Sequence, residues 1–154
     1  MESVILRRNP YHGLKASEHR PLRNPTLQDL RNLYDSLQRA EYWIPRSAED
    51  EAAIQAYKQQ LLSEGRSIED EIRQLAGDSG FVLMENKFPY AVQDARHYVL
   101  WILDGDVLED AEQYICNFLE SQQICPDETV CYENNIAYQT ASGIPHFHIY
   151  VPQP

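Results

Sequence analysis

Near the end of the chain His146, His148 and Tyr150 recur at steps of two, just after Ser142 and Gly143. In a β-strand residues i and i+2 project to one face, so the two imidazoles and the phenol share a face while Phe147, Ile149 and Val151 share the opposite, core-directed one. A positioned imidazole is a nucleophile at phosphorus, a general acid or base near neutral pH, or a metal ligand, and the spacing alone does not choose among these. Ser142-Gly143-Ile144 reads as a polar turn whose backbone N–H groups can face an anion beside the imidazoles. Zinc would need a third ligand, for which His97 or Asp104 is conceivable, but no spacing demands either. No metal and no cofactor is therefore expected. Cys116, Cys125 and Cys131 match neither a zinc knuckle nor a redox C-x-x-C, and they read as reduced thiols.

The elements that must position these residues change character near Gly77. Upstream, Thr26 with Asp29, Ser47 with Asp50, and Ser67 with Asp70 each make a helix start signal. They predict an amphipathic helix over 27–42 stopped by Pro45, a second ending near Gly65, and a short third over 68–76 ended by Gly77. Downstream, apolar runs of strand length or period two predict strands over 81–84, 97–103, 129–133 and 145–151. Helical spacing over 107–121 supplies the remaining element. The order is β-β-α-β-β, and the short connection around Phe88-Pro89-Tyr90 allows an antiparallel hairpin. The expected fold class is α+β, with N-terminal helices packed on an antiparallel sheet.

A single domain over 26–154 follows, with a helical part at 26–77 and a sheet part at 78–154. Residues 1–25, interrupted by Pro10, Pro21 and Pro25, predict an irregular arm laid over the surface. Lys15, Arg20 and Arg23 make that arm locally basic, which reads as solvated surface, as do His12 and His19.

The composition restricts partners. The 154-residue chain carries 13 Lys and Arg against 24 Asp and Glu, a net charge of −11, which opposes binding to a long nucleic acid through its phosphates. The longest uninterrupted apolar run, Tyr98 to Leu103, is far below the ~20 residues that cross a bilayer, and residues 1–25 lack a signal-peptide core. No membrane contact and a cytoplasmic location are expected. With 43% hydrophobic residues the chain has material for a core.

The stretch from Asn134 to Pro152 resembles the histidine-triad (HIT) signature, in which an Asn, a Gly-Gln-Ser/Thr turn and H-x-H-x-H on a strand bind and attack a nucleotide α-phosphate. Asn86-Lys87-Phe88-Pro89-Tyr90 and Arg96-His97-Tyr98-Val99-Leu100-Trp101 are similar to the HIT Asn-x-x-Pro loop and the strand that opens with Gly-His. A closer resemblance, over roughly residues 27 to 152, is to a mostly fungal domain family of unknown function. It carries an N-x-F/W-P-Y motif, a H-x-V-x-W strand and a terminal P-H-x-H-[VI] segment.

The resemblance implies a HIT-like antiparallel sheet and a small phosphorylated ligand, in the first place a nucleotide, acted on by hydrolysis or by nucleotidyl or phosphoryl transfer. It also implies a homodimer as an arrangement to look for. Carried over by residue, His148 matches the nucleophilic middle histidine and His146 the first one, while Tyr150 stands where hydrolases keep a third. In the alternative register His146 is the middle residue, His148 the third and Ile144 the first. The first register puts Ser142 nearer its expected place. Ser142, Gly143, Asn134 or Asn135, Gln139 and Asn86 match positions that hold phosphate or ribose oxygens, and His97 and Arg96 flank them. Gln139 lies three residues before Ser142, whereas the HIT turn keeps Gln and Ser together. For Arg96 the simpler role is an ordinary ion pair, and for His97 a hydrogen bond from a strand end to a loop carbonyl. Tyr150 and the displaced Gln139 motivate a different function, a non-catalytic HIT-like binding or interaction module.

Overall fold

The structure, a computed structural model, describes residues 5–135 and 144–154. Two-residue strands β1 (Arg20–Pro21) and β2 (Tyr42–Trp43) pair in parallel. Helices α1 (Leu27–Asn32), α2 (Tyr34–Gln38), α3 (Ala48–Ser63) and α4 (Ile68–Ala76) occupy the first half. The second half holds β3 (Phe81–Glu85), β4 (Ala95–Ile102), α5 (Leu108–Ser121), β5 (Val130–Glu133) and β6 (His146–Pro152). Chain order there is β-β-α-β-β, and the four strands form an antiparallel sheet of order β3-β4-β6-β5. The class is α+β.

The three start signals act as hydrogen-bonding chemistry requires. Thr26, Ser47 and Ser67 each accept the backbone N–H three residues on, satisfying a donor that has no partner within its helix. The helix predicted over 27–42 is instead two. Leu33, with φ −106° and ψ 18°, ends α1 and begins α2. The break lets Leu27, Leu30 and Leu37 all reach the sheet, where they pack with Val130, Tyr132 and Tyr150. Tyr34 Oη, next to the break, donates to Cys131 O at 2.9 Å.

On the opposite face Phe147, Ile149 and Val151 of β6 and Leu100 and Ile102 of β4 pack against Ala111, Ile115 and Leu119 of α5. Each fully buried large apolar side chain there contributes about 1.5–3 kcal/mol relative to exposure. Ile5 and Leu6 join this cluster. The N-terminal arm is thus not simply laid over the surface. Glu133, 1% exposed, holds it by accepting Asn9 N at 2.7 Å and Arg8 Nε at 3.1 Å through Oε1.

Both sheet faces are therefore covered. Among the described residues no helix is long and apolar enough to cross a membrane. No disulfide joins Cys116, Cys125 and Cys131, and burial pushes the Cys131 thiol well up.

Candidate functional site

β4 lies beside β6 in a register that sets His97 opposite Tyr150, Val99 opposite His148 and Trp101 opposite His146. Alternation brings these six side chains to one face, and β5 adds Tyr132 opposite His148. The result is an imidazole and aromatic layer. His97 stacks on Tyr150 at 4.6 Å between ring centroids, and Trp101 covers His146 at 4.6 Å. Tyr90, from the loop after β3, lies over both His97 and His148 at 4.9 and 5.1 Å. Arg46 caps the stack with its guanidinium 4.8 Å from the Tyr90 ring centroid.

This layer is closed. His97, His146 and His148 are 2%, 6% and 4% exposed and Tyr150 is 0%, so the face that carries them is buried like the core-directed one. The reason is that α1 and α2, together with the segment around Val92 between β3 and β4, build a second core over the sheet face that carries the histidines. Burial disfavours the imidazolium. His97 is lowered to about 3, first by burial and then by the nearby positive Arg46 and by His146. His148 is lowered well below its ordinary value and His146 is lowered as well, each chiefly by burial. All three are neutral near pH 7.

Neutral imidazoles have one donor and one acceptor nitrogen each, so hydrogen-bond partners assign the tautomers. His97 Nδ1 receives the backbone N–H of Tyr90 at 3.3 Å and faces Asn86 Nδ2 at 3.4 Å. It is the acceptor, which leaves the proton on Nε2. That nitrogen stands 2.9 Å from His148 Nδ1, so His97 donates and His148 carries its own proton on Nε2. His146 is set the other way. Its Nδ1 faces Ile144 O at 3.1 Å and must donate, which leaves the lone pair on Nε2.

The other sequence candidates separate. Asn86 belongs to the layer through His97, while its Oδ1 accepts Phe88 N at 2.9 Å and forms the local turn. Asn134 N donates to His146 O at 3.1 Å. Asn135 holds the N-terminal arm, accepting Gly13 N and donating to Tyr11 O and Leu14 O. Arg96 follows the opposite alternation from His97. It engages Glu85 and Tyr98 Oη rather than the imidazole layer, the ordinary surface ion pair of the simpler reading. His97 departs from the loop-carbonyl expectation, being two residues inside β4 and bonded to His148. Gln139, Ser142 and Gly143 lie outside the described residues.

Tyr132 and Arg46 are members that motif reading passed over, while Tyr90, the last residue of the N-x-F/W-P-Y motif, reads in sequence as part of a turn. Tyr132 carried a signal, because it alternates with Val130 in a strand beside the histidine strand. Arg46 carried none, since its approach depends on the Arg46–Tyr90 bridge between distant segments.

Two clefts formed by described residues have volumes of about 200 and 110 Å³, and neither is lined by a histidine. Among the described residues no group of three or more His, Cys, Asp or Glu is placed to hold a metal ion.

Comparison with known proteins adds a fold relationship. No protein-family model matches the chain, and no curated protein matches it in sequence. The crystal structure of HTC1 superposes with a TM-score of 0.56 at 17% identity, covering 84% of this chain and 86% of that one. At that identity the likeness concerns the fold alone.

Proposed function

We propose that the chain is a HIT-like protein that binds a small phosphorylated ligand, in the first place a nucleotide, and that His146 is its reactive imidazole. One observation carries the choice of residue. The tautomers differ: His146 donates Nδ1–H to Ile144 O, so its Nε2 is the unprotonated nitrogen, whereas His148 accepts at Nδ1 from His97 and keeps its Nε2 protonated. Only an unprotonated nitrogen attacks phosphorus. This supports the register with His146 in the middle over the one with His148 there, the first choice from sequence.

In the proposed reaction an N–P bond forms at His146 Nε2 as the P–O or P–N bond to the leaving group breaks, and water then releases the phosphoryl or nucleotidyl group. His148 Nε2–H is the neighbouring donor, 5.0 Å away between ring centroids. The acidic body makes a small ligand held by local donors a better fit than a polyanion. The test is turnover of a nucleoside phosphoramidate and a dinucleoside polyphosphate, with adduct mapping by mass spectrometry after acid-free quenching. His146→Ala is expected to abolish turnover and the adduct; an adduct on His148, or turnover undiminished in His146→Ala, overturns the assignment.

The enclosure of His97, His148 and Tyr150 beneath Tyr90 favours a second reading, a non-catalytic HIT-like module. Absence of both turnover and nucleotide binding by calorimetry would select it.

A further inference from the structure

We infer that the cleft between Arg23 and Arg46 is an anion site for a phosphate or pyrophosphate group, bordering the histidine layer at Arg46 but independent of the reading given to that layer. The cleft, about 200 Å³, is walled by Arg23 and Asn24 from the arm, by Pro45 and Arg46, and by Ala91. Three hydrogen bonds from one loop hold these walls together: Ala91 N to Pro45 O at 2.9 Å, Gln93 N to Pro25 O at 2.9 Å, and Gln93 Nε2 to Asn24 O at 2.5 Å. The walls are thus set before a ligand arrives, which lowers the ordering cost of binding.

The two guanidiniums differ in a way that suits an anion. Arg46 is aimed: its Nε donates to Phe88 O at 2.8 Å, and its plane lies over Tyr90. Its Nη1 is 3.5 Å from Glu51 Oε2, a loose pair with a half-exposed carboxylate that an entering ligand has to displace. Arg23, exposed, makes no ion pair or side-chain hydrogen bond among the described residues, in a chain with 24 acids to 13 bases. A guanidinium offers forked donors matched to phosphate oxygens, and charge-assisted bonds of this kind are roughly twice as strong as neutral ones. Ser47 and Ala48, at the start of α3, complete the wall, but Ser47 Oγ already receives Asp50 N at 3.1 Å. The guanidiniums rather than the helix end define the site.

Size decides what fits. The volume falls below the roughly 300–1,000 Å³ of pockets that enclose drug-sized ligands. An anionic group fits rather than a whole nucleotide, and two cations favour a multiply charged one.

Titration calorimetry of the full chain with inorganic phosphate and with pyrophosphate, at low salt in a phosphate-free buffer, tests the site. Saturable one-to-one binding is expected, weakened about tenfold or more in Arg23→Ala, by the loss of one charge-assisted contact. Arg46→Gln should weaken it too, but Arg46 also supports the fold through Phe88 and Tyr90. Arg23→Ala, at an exposed position with no ion pair or side-chain hydrogen bond to lose among the described residues, is therefore the deciding variant. No saturable binding of either anion at millimolar concentration, or unchanged affinity in Arg23→Ala, overturns the site. Binding lost in His146→Ala and retained in Arg23→Ala also overturns it, while leaving the histidine reading standing.

Discussion

His97 on β4 and His148 on β6 meet across the sheet with Nε2 and Nδ1 2.9 Å apart, and the partners of His97 give that bond a direction. Tyr90 N–H enters at His97 Nδ1, and the His97 proton then points at His148. The pair is diagonal, since the residue directly opposite His97 is Tyr150. Both rings are covered by Tyr90 and shielded from water, so the bond acts in a low-dielectric interior where an unpaired polar group is costly.

Replacing His97 by Ala should therefore destabilise the protein more than loss of a surface hydrogen bond would. The variant leaves a cavity beside Tyr150 and strands the Nδ1 acceptor of His148, an unsatisfied group worth about 1–3 kcal/mol. With the cavity, a loss of about 2–5 kcal/mol is expected, read as a lower urea midpoint. His97→Asn, which keeps a donor, should lose less. Equal and negligible losses in both variants would contradict the directed bond.

Acid should destabilise the fold before its carboxylates titrate. Unfolded imidazoles take up protons below about pH 6.5, while His97 in the fold does so only at about 3, and His146 and His148 are lowered too. The unfolded state binds more protons throughout that window, so stability is full above about pH 6.5 and falls as the pH drops towards the folded values. The slope reaches up to about 1.4 kcal/mol per pH unit for each imidazole. Urea midpoints at pH 7.5, 6.0 and 5.0 should fall in that order, and His148→Gln should flatten the profile. A midpoint independent of pH over this range would show that the imidazoles are not buried as neutral groups.

Alternation placed His146, His148 and Tyr150 on one face from the sequence, and the structure agrees. What alternation does not contain is the identity of the second covering layer, since a face carrying imidazoles and a phenol looks polar in one dimension. Leu27, Leu30 and Leu37 were visible as an apolar helix stripe, but their partner face was not. Capping chemistry was legible because it is local, at Thr26, Ser47 and Ser67. The break at Leu33 and the two-residue strands β1 and β2 were not, because tertiary packing and a single parallel pairing set them. Arg96 was legible in its simpler role: one step of alternation from His97 turns it away from the imidazole layer and towards Glu85, in an ordinary ion pair.

The N-terminal arm should loosen when Glu133 is changed. Arg8 is 59% exposed in its ion pair with Glu133, so its charge contributes at most about 1 kcal/mol. The bond from Asn9 N to Glu133 Oε1 is buried, and hydrogen bonds to charged groups contribute about 1.5–3 kcal/mol. Glu133→Ala should therefore cost clearly more than Arg8→Ala, and amide exchange should quicken in residues 5–14. If Arg8→Ala has the larger effect, the surface pair rather than the buried bond fastens the arm.

Restoring a third histidine by Tyr150→His should not create a better hydrolase. Tyr150 is wholly buried, stacked on His97 and within 3.4 Å of Tyr132 Oη through its own hydroxyl. An imidazole there has less volume, leaves Tyr132 Oη without that partner and adds a fourth neutral imidazole to His97, His146 and His148 in the enclosed cluster. A stability loss of about 1–3 kcal/mol follows from the unsatisfied hydroxyl and the void. No gain in turnover of a nucleoside phosphoramidate is expected, because the new side chain points into the core that Leu30 and Tyr132 complete. Steady-state rates and urea midpoints on the same preparation separate the outcomes. A rate increase in Tyr150→His would mean that the layer opens to ligand and that the missing histidine, not the enclosure, limits catalysis.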